Sequence, residues 1–68
     1  MAPQTRTRQW IRRKWLHAEG AIETAQAHLL DVRGHYVDNY PQHLELVDAN
    51  LTILEQVKGF LREARSKV

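Results

Sequence analysis

Eight residues of this 68-residue chain fall on one helical stripe without a break: Ile11, Trp15, Ala18, Ile22, Ala25, Leu29, Val32 and Tyr36. Their spacing alternates four and three, the signature of an amphipathic α-helix with a heptad seam. A strand alternates its faces every second residue and cannot use this pattern. Large side chains (Trp15, Ile22, Leu29, Tyr36) take one set of seam positions. Ile11, Ala18, Ala25 and Val32 take the other, and the alanines let a neighbouring helix approach closely. Gly20 and Gly34 lie opposite the stripe. Gly20 should therefore cost only helix propensity, about 1 kcal/mol, and Gly34 suits the residue just past a helix end. The pattern predicts helix 1 over about residues 4–33, one turn longer if Tyr36 is still helical.

Residues 34–40 read as a loop. Pro41 cannot sit inside a helix but fits a first turn, and Asn39 with Gln42 three residues on resembles a capping box. Helix 2 is predicted over about 41–65. Its seam is Tyr40, His43, Val47, Asn50, Leu54, Val57, Leu61, Ala64 and Val68. Helix 2 is also apolar outside this seam, with Leu46, Ile53 and Phe60 on one flank and Leu44 and Leu51 on the other. Asn50 is the one amide in mid-seam. It either sets register and partner choice, as polar seam residues can, or it lies at a rim in water.

The fold class is all-α: residues 1–68 form a single domain, an antiparallel two-helix hairpin. Two helices enclose no interior, and chains this short rarely draw more than ~3–5 kcal/mol from one core. No cysteine is present, which removes disulfides and thiolate metal sites as staples. The apolar arc of helix 2 is wider than one facing helix can cover. The hairpin is therefore expected to complete a four-helix bundle or coiled-coil assembly, with a second copy or with a helical partner protein. The expected protein interface is Leu44, Leu46, Leu51, Ile53 and Phe60.

Catalytic signatures are missing: the chain has no phosphate-binding glycine loop, no GxSxG, no HExxH and no nucleophile beside a base. No enzyme activity and no cofactor are expected. His28 and His35 flank Asp31, but they stand two turns apart, about 10.5 Å at ~1.5 Å per residue. One metal ion held by both is not expected, and the neutral expectation is flank histidines beside the seam.

The net charge of +2 hides an asymmetry, because residues 1–18 carry five basic groups and no acid. Arg6, Arg8, Arg12, Arg13 and Lys14 surround Trp10 and Trp15. Trp15 belongs to the seam and Trp10 lies off it. The cations ring the helix instead of forming one face, which disfavours a major-groove recognition helix. Positive charge at a helix N-terminus opposes the macrodipole, so an anionic neighbour is expected there. Two functions fit. The first is a small interaction or assembly subunit whose basic head meets an acidic or phosphate-bearing neighbour. The second is a nucleic-acid-binding hairpin, for RNA more than DNA, with the cations on phosphates and Trp10 on a base. An Arg-rich, acid-free start also resembles a mitochondrial presequence, but cleavage there would cut one continuous seam. No apolar run approaches the ~20 residues of a membrane span, and no signal-peptide core follows the first residues. An intracellular location is expected, with the compartment open.

Overall fold

The computed structural model describes residues 7–68 of the chain, so Arg6 lies outside the described residues. Two helices, α1 (Arg8–Asn39) and α2 (Leu44–Ser66), pack antiparallel as a hairpin, joined by a 3-10 turn at Pro41–His43. The molecule is a rod with extents of 57 × 19 × 17 Å.

Thr7 starts α1. Its backbone is extended (φ −71°, ψ 158°), and its side-chain oxygen accepts from the Trp10 N–H at 3.0 Å. This satisfies one of the amides that a helix start leaves without a partner. No acid sits in the first turn, so the macrodipole there meets only cations.

The end of α1 differs from expectation. Gly34 does not terminate it, and α1 continues to Asn39. A terminating glycine acts by adopting positive φ, and no described glycine does so. The stop comes from Pro41. A proline pushes the preceding residue out of the helical region, and Tyr40 obeys with φ −141° and ψ 62°. Its N–H still donates to Tyr36 O at 2.8 Å, and His43 N–H donates to Tyr40 O at 2.9 Å. The expected seven-residue loop is thus a tight corner. The capping box does not form either, since the Asn39 amide donates back to His35 O at 3.0 Å and α2 has no side-chain cap.

Aromatic rings pack this corner. Tyr36 and Tyr40 meet edge to face with centroids 6.2 Å apart, and His43 lies 5.5 Å from Tyr36 and 5.9 Å from Tyr40. These separations and the edge-on pair suit ring quadrupoles.

Burial follows the expected stripe on α1. Ile11, Trp15, Ala18, Ile22, Ala25, Leu29 and Tyr36 are half-buried, while Val32 is exposed. On α2 the seam is rolled. The expected His43, Val47, Leu54, Val57, Leu61, Ala64 and Val68 are at least half-buried, Leu44 and Leu51 turn inward with them, and Val47 is the one buried apolar residue among those described. Tyr40 and Asn50, both expected in this seam, are exposed. Asn50 donates to Leu46 O of its own helix at 2.7 Å, the bond that a solvated mid-helix amide makes. It sits at the rim and sets no register within the hairpin.

Candidate functional site

Polar pairs explain the roll, and all of them lie on one side of the seam. Arg33 Nε meets Asp48 Oδ1 at 2.7 Å. Gln26 donates to Glu55 Oε2 at 3.0 Å and accepts from Lys58 Nζ at 3.3 Å. Glu19 takes Arg62 Nε on one carboxylate oxygen at 3.2 Å and Arg65 Nε on the other at 2.9 Å. As numbers rise along α1 they fall along α2 in step, the register of an antiparallel pair. Gln26, then Lys58, hold the Glu55 carboxyl below its ordinary pKa, and the Asp48 hydrogen bond raises that of Arg33. The Arg33 and Asp48 side chains are 40% and 50% exposed and that of Glu55 is 63% exposed, so these pairs set register more than they add stability.

Glu19 is different. It is the one charged residue buried among those described, with 5% of its surface exposed. The charge pattern of the sequence marks it only as the first carboxylate after the basic head. Its partners are 43 and 46 residues away, which is why local sequence gives no sign of them.

The other side of the seam is apolar and open. Asp48, Glu55 and Arg62 reach α1 from one side of α2. Leu46, Ile53 and Phe60 stand two residues earlier in each heptad, which places them on the opposite side. They remain 63%, 55% and 68% exposed. Beside them the seam carries Ala18, Ala25 and Ala64 with the half-buried Val57 and the partly exposed Val32, mostly small side chains that leave the surface there shallow. Leu44 and Leu51, expected in the docking surface, are half-buried with Val47 and Leu54 and serve the hairpin's own seam. A second apolar line, Leu16, Leu30 and Val37, is exposed on the polar-pair side of α1; Glu23 interrupts it.

The described part of the basic head, from Arg8 on, lies at the open end of the hairpin, and α2 adds to it. Arg8, Arg12, Arg13 and Lys14 are exposed. Arg12 Nε donates to Val68 O at 2.8 Å, tying the start of α1 to the end of α2. Antiparallel packing thereby adds Arg62, Arg65 and Lys67 to the same end, against Glu19 and Glu63. Arg12, Leu16, Arg62, Arg65 and Ser66 line a shallow cleft of about 450 Å³ there. Trp10 is half-buried with the Lys14 ammonium 5.4 Å over its ring, a cation–π distance. The corner end has the opposite sign, with Asp31, Asp38, Glu45 and Asp48 against Arg33 alone. The rod is an electric dipole with an apolar side.

Among the described residues no group of three or more His, Asp or Glu side chains is arranged to hold a metal ion. No helix among them is long and apolar enough to cross a membrane. Comparison with protein-family models, with curated proteins and with solved structures finds no match to this chain.

Proposed function

We propose that this protein is a non-enzymatic helical assembly module. Its Leu46–Ile53–Phe60 face packs on another protein surface, and its basic end lies toward an acidic or phosphate-bearing neighbour. One observation carries the proposal: three large apolar side chains, each more than half exposed, stand in line on one side of α2. Single exposed hydrophobes are ordinary, but a line of them beside a shallow alanine seam is a docking surface. Among the described residues the hairpin buries one apolar side chain, Val47 at 5% exposed, little to offset chain entropy.

Light scattering and circular dichroism on the same sample test this. Ile53→Asp and Phe60→Asp are each expected to abolish association, whereas Glu23→Gln, on the exposed polar-pair side of α1, leaves it intact. A wild-type chain that is monomeric, melts cooperatively and keeps its midpoint in Ile53→Asp would overturn the proposal.

The gathering of Arg8, Arg12, Arg13, Lys14, Arg62, Arg65 and Lys67 at one end favours a second reading, contact with nucleic-acid phosphates. Trp10 contributes less to it than the sequence suggests, because its ring is half-buried beneath Lys14. On this reading affinity for mixed RNA falls steeply between about 50 and 200 mM salt. Binding that ignores salt, or none at low salt, would exclude it.

A further inference from the structure

We propose that the occupant of the Leu46–Ile53–Phe60 face is a second copy of this chain, docked antiparallel so that the corner of each hairpin lies beside the open end of the other. The inference rests on the assembly reading and names its partner.

Charge selects both the partner and its direction. The open end holds seven cations and two carboxylates, and the corner holds four carboxylates and one arginine among residues 31–48. A dipolar rod is complementary to itself only when turned end for end. The parallel arrangement would set cations beside cations and carboxylates beside carboxylates, which disfavours it. The size also fits. A broad side 57 Å long and 19 Å wide projects to roughly 1,000 Å², against about 800 Å² per partner in a stable interface.

Symmetry then dictates the contacts. A two-fold interface presents the same patch from both copies. Ile53 is the middle residue of the strip, with Leu46 and Phe60 one heptad to either side. A two-fold axis near Ile53 sets the two Ile53 side chains together and Leu46 of one copy against Phe60 of the other. The shallow sides at Ala18, Ala25 and Ala64 give these large side chains room to enter. The polar pairs of Glu19, Gln26 and Arg33 face away, so each hairpin keeps them. The two hairpins together make a four-helix bundle with its corners at opposite ends.

The chain has no cysteine, so single cysteines report cleanly, and exposed positions tolerate them. The expected solution mass is twice the 8.0 kDa of one chain. With a cross-linker of about 10 Å, Ile53→Cys links to itself. Leu46→Cys and Phe60→Cys link when mixed but not alone, since self-linking would have to span two heptads, about 21 Å at ~1.5 Å per residue. Ile53→Asp, which places an unpaired charge at the axis, is expected to weaken the dimer at least about 100-fold, with the helicity of the variants followed by circular dichroism. Self-linking of Leu46→Cys together with self-linking of Phe60→Cys would show a parallel pair and overturn the proposal. A weakly helical monomer would also overturn it while leaving the assembly reading intact, because the missing surface would then belong to another protein. A cooperatively melting monomer would overturn both.

Discussion

Replacing Gly20, Gly34 and Gly59 together by alanine is expected to raise the melting temperature by roughly 10–20 °C. All three glycines are inside helices and exposed, and none has positive φ. A Cβ built at each meets nothing within 4 Å. None of the three therefore needs to be glycine for its conformation or for space within the hairpin. Each alanine removes backbone freedom from the unfolded chain and gives about 0.5–1 kcal/mol. The sites lie far apart or on different helices, so their effects should add to roughly 1.5–3 kcal/mol. That is of the same order as the whole stability expected for so small a core. Thermal melts of the single and triple variants check this. They must be run at one chain concentration, because association makes the midpoint concentration-dependent. All three positions point away from the α1–α2 seam and away from Leu46, Ile53 and Phe60. A lower melting temperature, or weaker association, would mean that a neighbouring backbone packs against the glycine side, and the docking surface would have to be moved there.

The heptad spacing of Ile11 to Tyr36 was enough to read α1 and its buried stripe, and the break at Pro41 followed by a second seam made the antiparallel hairpin legible. The exposed strip of Leu46, Ile53 and Phe60 was legible as well, since apolar residues recurring every seven positions outside the seam cannot all face α1. Two features misled. Gly34 looked like a helix end because glycine often is one, but a glycine permits a stop without forcing it, whereas Pro41 forces one at Tyr40. The roll of α2 was ambiguous for a different reason. Its apolar arc spans both Val47–Asn50–Leu54 and Leu44–Leu51, so hydrophobicity allows two nearly equal orientations. Charge decides between them. Only the observed roll brings Asp48, Glu55 and Arg62 to the edge of the seam, where Arg33, Gln26 and Glu19 wait on α1. That criterion needs the inter-helix register, which no local window of sequence contains. The same gap hid the open end's full charge, since Arg62, Arg65 and Lys67 join the basic head only after the chain has folded back.

Removing the two arginines that hold Glu19 should cost more than removing Glu19 itself. The Glu19 side chain is 7% exposed, while those of Arg62 and Arg65 are 52% and 36% exposed. If Glu19 becomes leucine, both guanidiniums turn to water, and an apolar side chain fills the buried space. Replacing a buried ion pair by a packed hydrophobe is often neutral or stabilising, so Glu19→Leu is expected to stay within about 1 kcal/mol of the wild type. With Arg62→Ala and Arg65→Ala together, the carboxylate keeps its burial and loses its hydrogen-bond donors. An unpaired buried charge is strongly destabilising, and a loss of about 2–4 kcal/mol is expected, enough to unfold much of the population at 37 °C. Adding Glu19→Leu to the double alanine variant should then restore most of that loss, because it removes the stranded charge. Denaturant melts of the wild type, the single, the double and the triple variant close this cycle. A triple variant no more stable than the double would mean that Glu19 reaches water on its own and that the apolar seam alone holds the open end together. The expected rescue would show instead that Arg62 and Arg65 are committed to the fold. Arg8, Arg13, Lys14 and Lys67, which pairs with Glu63 of its own helix at 3.8 Å, are then the cations left to meet the acidic corner of a second copy.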